Sequence, residues 1–192
     1  MVRRVESANS TFAKPMLLAD IARLLLEVLG SLLVGLLLLR AWIGYIGMPT
    51  RNPVAQFVHA MTHWLVAPIA RLLPTRGRID WAALLAAFAV TLLIVVLMRL
   101  VIGVGLPWDL ALLGAVRQLV IWSLNIVVWV TIIYVVISWV NPHAPFAPAL
   151  GMLLRPLLGP IQRVVPPVGG FDLSPLVLLL IVYVLQMVVA RL

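Results

Sequence analysis

Long apolar runs separated by short polar breaks dominate the chain, and no stretch alternates with the two-residue period of a strand. Four runs are long enough to cross a bilayer as helices, which need roughly 20 apolar residues each. They cover about residues 24–46, 81–100, 116–140 and 173–190. The second holds ten Leu, Ile, Val or Phe between Leu84 and Leu97 with no charge among them. At about −0.3 to −0.6 kcal/mol each, these residues favour insertion by roughly 3–6 kcal/mol. Backbone groups in lipid must bond within their own segment, so each run is expected to be a helix. Arg40, Arg99 and Arg191 lie near span ends; Arg40 is expected to snorkel to headgroups while Trp42 and Tyr45 mark the interface.

Two apolar segments, 53–74 and 146–166, are too short or too often interrupted to cross. In the first, Gln56, His59 and His63 recur at helical spacing, the pattern of a helix lying in the headgroup plane. The second contains Pro148, Pro156 and Pro160, which predict broken interfacial or re-entrant helices. Trp108-Asp109 after Pro107 reads as a helix start in the connector. Residues 1–16 are a polar, basic tail, and the first apolar run is expected to be a retained anchor, being too long for a secretory signal.

The interrupted segments end in related sequences. PIARLLPTRGRIDW starts at Pro68 and PIQRVVPPVGGFDL at Pro160, with identities at Pro68/Pro160, Ile69/Ile161, Arg71/Arg163, Pro74/Pro166, Gly77/Gly169 and Asp80/Asp172. Roughly one such identity is expected by chance over this length. Upstream, Asn52-Pro53 pairs with Asn141-Pro142. The chain thus divides into repeat one, 17–104, and repeat two, 105–192. Each is a span, a broken segment, a Pro/Gly/Asp elbow and a second span. An even number of spans per unit makes the repeats parallel, with both elbows on one side and both termini on the other.

Composition adds exclusions. The 192 residues are 64% hydrophobic and 10% charged, with a mean hydropathy of +1.17, far from a water-soluble domain. The absence of Cys removes disulfides, Cys-ligated zinc, iron–sulfur clusters and thiol nucleophiles. The net charge of +8 rests on Arg residues that flank apolar runs, which points to lipid headgroups rather than directly bound nucleic acid. Seven Lys or Arg fall on the terminal side and seven on the elbow side, so the positive-inside rule gives no orientation.

The elbows hold the candidate chemistry. Pro166-Pro167 stops a helix, while Gly169 and Gly170 permit a tight reversal. Asp172 or Ser174 can cap the last span, with Pro175 in its first turn, and Asp80 can cap the second. One reading is a purely structural turn. The sharper reading is an ion-pair lock at each elbow, Arg71–Asp80 and Arg163–Asp172, because a lone charge near lipid is costly. His59 and His63 have metal-ligand spacing but lack a third ligand nearby, so a polar stripe is expected rather than a metal site. Arg23 and Glu27 fit a surface pair. Asn125 and Gln186 are positioned in spans where they can hydrogen-bond between helices.

The string SWVNPHAPFAP from Ser138, followed by LLRPLLGPIQRVVPPVGGFDLSPLVLLLIV from Leu153, resembles the YggT (YlmG) family of bacterial and plastid membrane proteins. In repeat one, Arg76 and Arg78 stand at the second Pro and second Gly of that motif, and Trp81-Ala82-Ala83 replaces Leu-Ser-Pro. The resemblance implies a small polytopic protein of the bacterial inner membrane without an assigned enzymatic activity. The family is linked to cell division and envelope organisation, nucleoid distribution, osmotic tolerance and, in plastids, cytochrome assembly. The expected fold is therefore all-α, with four transmembrane helices in two parallel tandem repeats. The expected function is a non-enzymatic organisation or assembly factor without a cofactor, bound to the bilayer and to other membrane or division proteins, with homo-oligomers allowed. The alternative is an oligomeric permeation pathway in osmoadaptation.

Overall fold

A computed structural model describes the backbone of residues 3–73, 77–103, 107–141, 143–165 and 172–191, with side chains from Asp20 onward except Ile102. It is all-helical. The elements are α1 (Arg3–Ile46), α2 (Pro53–Leu72), α3 (Trp81–Ile102), α4 (Trp108–Val140), α5 (Ala147–Val164) and α6 (Ser174–Ala190). Among the described residues, three apolar stretches are long enough to cross a membrane, Asp20–Ile46 within α1, Trp81–Val101 within α3, and α4. The 17-residue α6 is equally aliphatic but shorter, about 26 Å at 1.5 Å per residue.

Local signals explain the helix ends. Asn52 caps α2 by accepting from the Val54 N–H (2.9 Å), and Pro53 occupies the first turn, where its missing N–H costs nothing. Asp80 Oδ1 accepts from the Ala83 N–H (3.0 Å) and caps α3. α1 ends in a Schellman turn: the Gly47 N–H reaches the Gly44 carbonyl and the Met48 N–H reaches that of Ile43, both 3.1 Å. That turn requires the positive φ of Gly47, 70°. Gly77, at φ 106°, supplies the corresponding freedom in the first elbow.

Contacts along the helices give their relative sense. A Cβ on Gly30 would meet Trp122, and one on Gly35 would meet Ile126, so α1 and α4 advance together. Against α3, Gly30 faces Ile94 while Arg40 meets Asp80, so α1 and α3 run in opposite senses. Asn125 meets Gln186 and Arg117 meets Val189, so α4 and α6 are likewise opposed. The α1–α3 and α4–α6 turns consequently lie at one end of the bundle, and the α3–α4 connection at the other.

One packed cluster joins α1 and α3 through Val34, Leu37, Ala82, Ala83, Ala86 and Ala87, with Val66 of α2 and Trp122 of α4. The alanines allow the close approach that packing in lipid depends on. A second cluster sets Ile43, Met48, Ala55 and Val58 against Ala149, Leu150 and Leu153 of α5, joining the two halves. A third unites Leu154 and Leu158 with Leu178 and Val182 of α6.

Three expectations need correction. The segment with Pro148, Pro156 and Pro160 is one continuous helix, α5, not a broken pair, and α2 likewise runs unbroken through Pro68. Pro148 lies in the first turn, where a donor is dispensable. Pro68, Pro156 and Pro160 all sit on exposed faces, opposite the packed residues, where bending away from the core is tolerated. The third span is not confined to 116–140: α4 begins at Trp108, after Pro107, and runs for 33 residues. Asn52 and Asn141 do not occupy equivalent places, for Asn52 starts α2 whereas Asn141 ends α4 and Phe146 precedes α5. Pro74, Arg76, Pro142, Pro166, Pro167, Gly169 and Gly170 lie outside the described residues.

Candidate functional site

The polar centre of the first half forms where α1, α2 and α3 meet. Arg40 points inward: its Nε donates to Asp80 Oδ2 (2.9 Å) and its Nη1 to Thr62 Oγ1 (3.2 Å). The Thr62 hydroxyl in turn donates to the Val58 carbonyl, 2.7 Å away, and is fully buried. Asp80 divides its two oxygens, one to cap α3 and one to hold the guanidinium. Only 11% of the Arg40 side chain and 17% of that of Asp80 are exposed, so this pair is shielded from the screening that weakens surface ion pairs. A single carboxylate thus ties the first elbow to the first span and, through Thr62, to α2.

His59 stands one turn before Thr62 on α2 and is half-buried. Burial holds its imidazole below the usual histidine pKa. The positive charge of Arg40 adds to that depression, Asp80 opposes it, and His63 contributes in the same direction as Arg40. His63 and Gln56 are exposed. Among the described residues, no group of three or more His, Asp or Glu converges as a metal site.

The second half is anchored differently. Asp172 accepts from Gln162 Nε2 (2.8 Å) and from the Ser174 N–H (2.9 Å) at the start of α6. Burial alone would raise its pKa, but interaction with Ser174 and the Gln162 hydrogen bond lower it by more. The Ser174 hydroxyl itself is buried without a hydrogen-bond partner among the described residues. Deeper in the bundle, Gln186 Nε2 donates to Asn125 Oδ1 (2.9 Å), joining α6 to α4.

The proposed elbow locks are therefore not formed. Arg71 and Arg163 are exposed, and Arg40–Asp80 is the ion pair among the described residues. The Arg side chains of α2 and α5 keep their hydration, whereas Arg40 sits six residues before the end of α1, about 9 Å along the helix, and must be neutralised there. Arg40 does not snorkel outward for the same reason. Arg23 and Glu27 are exposed and form no ion pair among the described residues.

Three contacts had no local sequence signature. Trp42 does not only mark an interface: its Nε1–H donates to the Leu153 carbonyl (3.0 Å) and binds α1 to α5 across the two halves. That carbonyl directly follows the Met152 carbonyl, whose helical donor Pro156 lacks. Arg117 donates to the Val189 and Ala190 carbonyls, satisfying the C-terminal end of α6. Arg99 reaches the Leu110 carbonyl, 3.3 Å away, and ties the end of α3 to the start of α4.

The family model described as CCB3/YggT matches residues 19–101 and 113–192, in two segments consistent with a tandem repeat. The Escherichia coli K12 protein named "Uncharacterized protein YggT" is 34% identical over 169 residues, covering 87% of this chain and 88% of its own. An uncharacterized protein of Pseudomonas aeruginosa is 33% identical over 175 residues and 86% of each chain. One from Vibrio alginolyticus is 31% identical over 158 residues, 80% of this chain and 85% of its own. No solved structure matches. With a doubled family match, long apolar helices and relatives in Gram-negative bacteria matched over most of their length, the chain is a multi-pass membrane protein that belongs to the CCB3/YggT family.

Proposed function

We propose that the protein is a non-enzymatic organiser or assembly factor of the bacterial inner membrane. In this reading α1, α3, α4 and α6 cross the bilayer as two parallel repeats, and α2 and α5 form a platform at headgroup level beside both elbows. The observation that carries the proposal is the way polar groups are spent. Arg40 bonds both Asp80 and Thr62 and fixes the platform to the spans, while Arg51, Arg71, Arg78, Arg155 and Arg163 are left exposed. A braced cationic surface suits docking to headgroups and to the polar flanks of another membrane protein. A permeation pathway would need polar groups free to face a route at membrane depth. Asn125 and Gln186 satisfy each other instead.

Photo-crosslinkers placed at exposed positions of α2 and α5, such as Phe57 and Met152, test the reading in native membranes. Reproducible adducts with a defined membrane or division protein are expected. Adducts absent at both helices, together with solute flux through the purified protein in liposomes, would replace it with the permeation reading.

A further inference from the structure

Between the two halves lies a half-open cavity of about 400 Å³, walled by α1, α4 and α5, with Ile79 and Leu84 at one side. Along α1 it extends from Leu38 to Tyr45, about 10 Å. Leu39, Ile126, Val130 and Leu154 make its surface almost wholly apolar. Two of the polar groups in its lining are already engaged: Trp42 donates to the Leu153 carbonyl, and the Ser123 hydroxyl donates to the Leu119 carbonyl, while the third, Tyr45, is half exposed at the end of the lining on α1. An occupant therefore gains little from polar atoms inside the slot, and its volume lies at the small end of ligand pockets. A single hydrocarbon chain meets both conditions.

The exposed charges next in sequence to the lining select what that chain is attached to. Ile79 lines the slot and Arg78 directly precedes it; the Arg78 carbonyl packs against α1 at Gly44, next to cavity-lining Tyr45. Arg155 lies between Leu154 and Leu157, which both line the slot. Both guanidiniums are exposed, and neither meets a carboxylate among the described residues. The only acids on the elbow side of the sequence are Asp80 and Asp172, and both are occupied, by Arg40 and by Gln162 with Ser174. The geometry points to a structural lipid site: one acyl chain of an anionic glycerophospholipid fills the slot between the repeats, and its phosphate is held by Arg78 and Arg155. This assignment rests on reading these helices as membrane spans, but not on any protein partner. The lipid completes the seam between halves that the Trp42–Leu153 bond begins.

The test uses the full chain in phosphatidylcholine nanodiscs carrying a trace of phosphatidylglycerol with a photoactivatable diazirine in its acyl chain. Labelled peptides are mapped by mass spectrometry, and unlabelled phosphatidylglycerol or phosphatidylcholine competes. Adducts are expected on residues 38–45, 126–130 and 153–157, displaced about fivefold better by the anionic lipid for each engaged Arg. The R78Q/R155Q variant, altered only at exposed positions, should lose the preference while keeping the adducts. L154W should lose the adducts by filling the slot, with helix content checked by circular dichroism. Labelling spread evenly over outward residues such as Leu176, Leu180 and Tyr183, or equal competition by the two lipids, would overturn the assignment without touching the partner-docking reading. So would a folded L154W that is labelled like the wild type.

Discussion

The Arg40–Asp80 pair makes the sharpest demand on experiment, because each residue is tolerable at its depth only while the other is present. Removing one partner of a buried pair costs about 3–5 kcal/mol, since the remaining charge stays desolvated and uncompensated. Asp80→Asn isolates this term cleanly. The amide can still accept from the Ala83 N–H and cap α3, so the cap is kept while the charge is lost. Arg40 is then left with the Thr62 hydroxyl alone, and the expected loss is about 3–5 kcal/mol. Arg40→Leu should fall near the lower end, about 3 kcal/mol, because the carboxylate it strands still faces the positive end of α3. The double variant removes both charges and should return to within about 1 kcal/mol of the wild type. The two single losses are thus strongly non-additive, with a coupling of at least about 5 kcal/mol. Unfolding in mixed micelles, titrated with SDS and followed by circular dichroism, measures all four corners of the cycle. Single losses below about 1 kcal/mol that simply add in the double variant would show a hydrated, screened pair and refute the reasoning.

Other substitutions separate the structural roles. Arg71→Ala and Arg163→Ala should each change stability by no more than about 0.5 kcal/mol in the same titration, since both guanidiniums are exposed and unpaired with Asp80 or Asp172. Gln186→Leu should cost roughly 0.6–1.7 kcal/mol by stranding Asn125, and N125L/Q186L should recover most of that loss. His59 has a folded pKa below its ordinary value of 6.5, chiefly through burial and then through Arg40. The unfolded chain therefore binds the proton more readily. The stability His59 contributes is complete above pH 6.5 and is lost as pH falls through the lower folded value. Stability measured across that window should slope upward with pH, and His59→Gln should flatten the slope.

What the sequence made legible was whatever depends on near neighbours or on period. Hydropathy places the run at 81–100 on α3, and the Pro107-Trp108-Asp109 signal coincides with the first residue of α4. The Asp80 cap follows from an acid directly before an apolar run. Arg40 was the harder case. The equivalence of the two elbows pairs Asp80 with Arg71, nine residues away, whereas the real partner comes from 40 residues upstream. The usable clue was depth: six apolar or small residues follow Arg40 before α1 ends, too many for a guanidinium at the headgroups. Trp42–Leu153 and Arg117–Val189 link residues 111 and 72 apart, and no periodicity encodes such pairs. The prolines of α5 misled because a proline signals a break only when no neighbouring packing holds the helix, and five buried residues on one face hold this one.

The divergence of the two halves follows from one position. Counted from the ends of α1 and α4, the place of Arg40 in the first half belongs to Tyr134 in the second. Tyr134 packs among Val130, Leu154 and their neighbours, and it brings no charge for Asp172 to meet. An acid at the second elbow must then be satisfied from its own neighbourhood, and Gln162 with the first turn of α6 does so. Because these partners are neutral and Asp172 is exposed, the described residues of the second elbow include no deeply buried charge. Those of the first elbow do. Among the described residues, the Asp of the first elbow is thus held by a buried charge and that of the second by an amide and a backbone N–H. The cavity with its exposed guanidiniums lies along the seam between them, where the two anchors must accommodate each other.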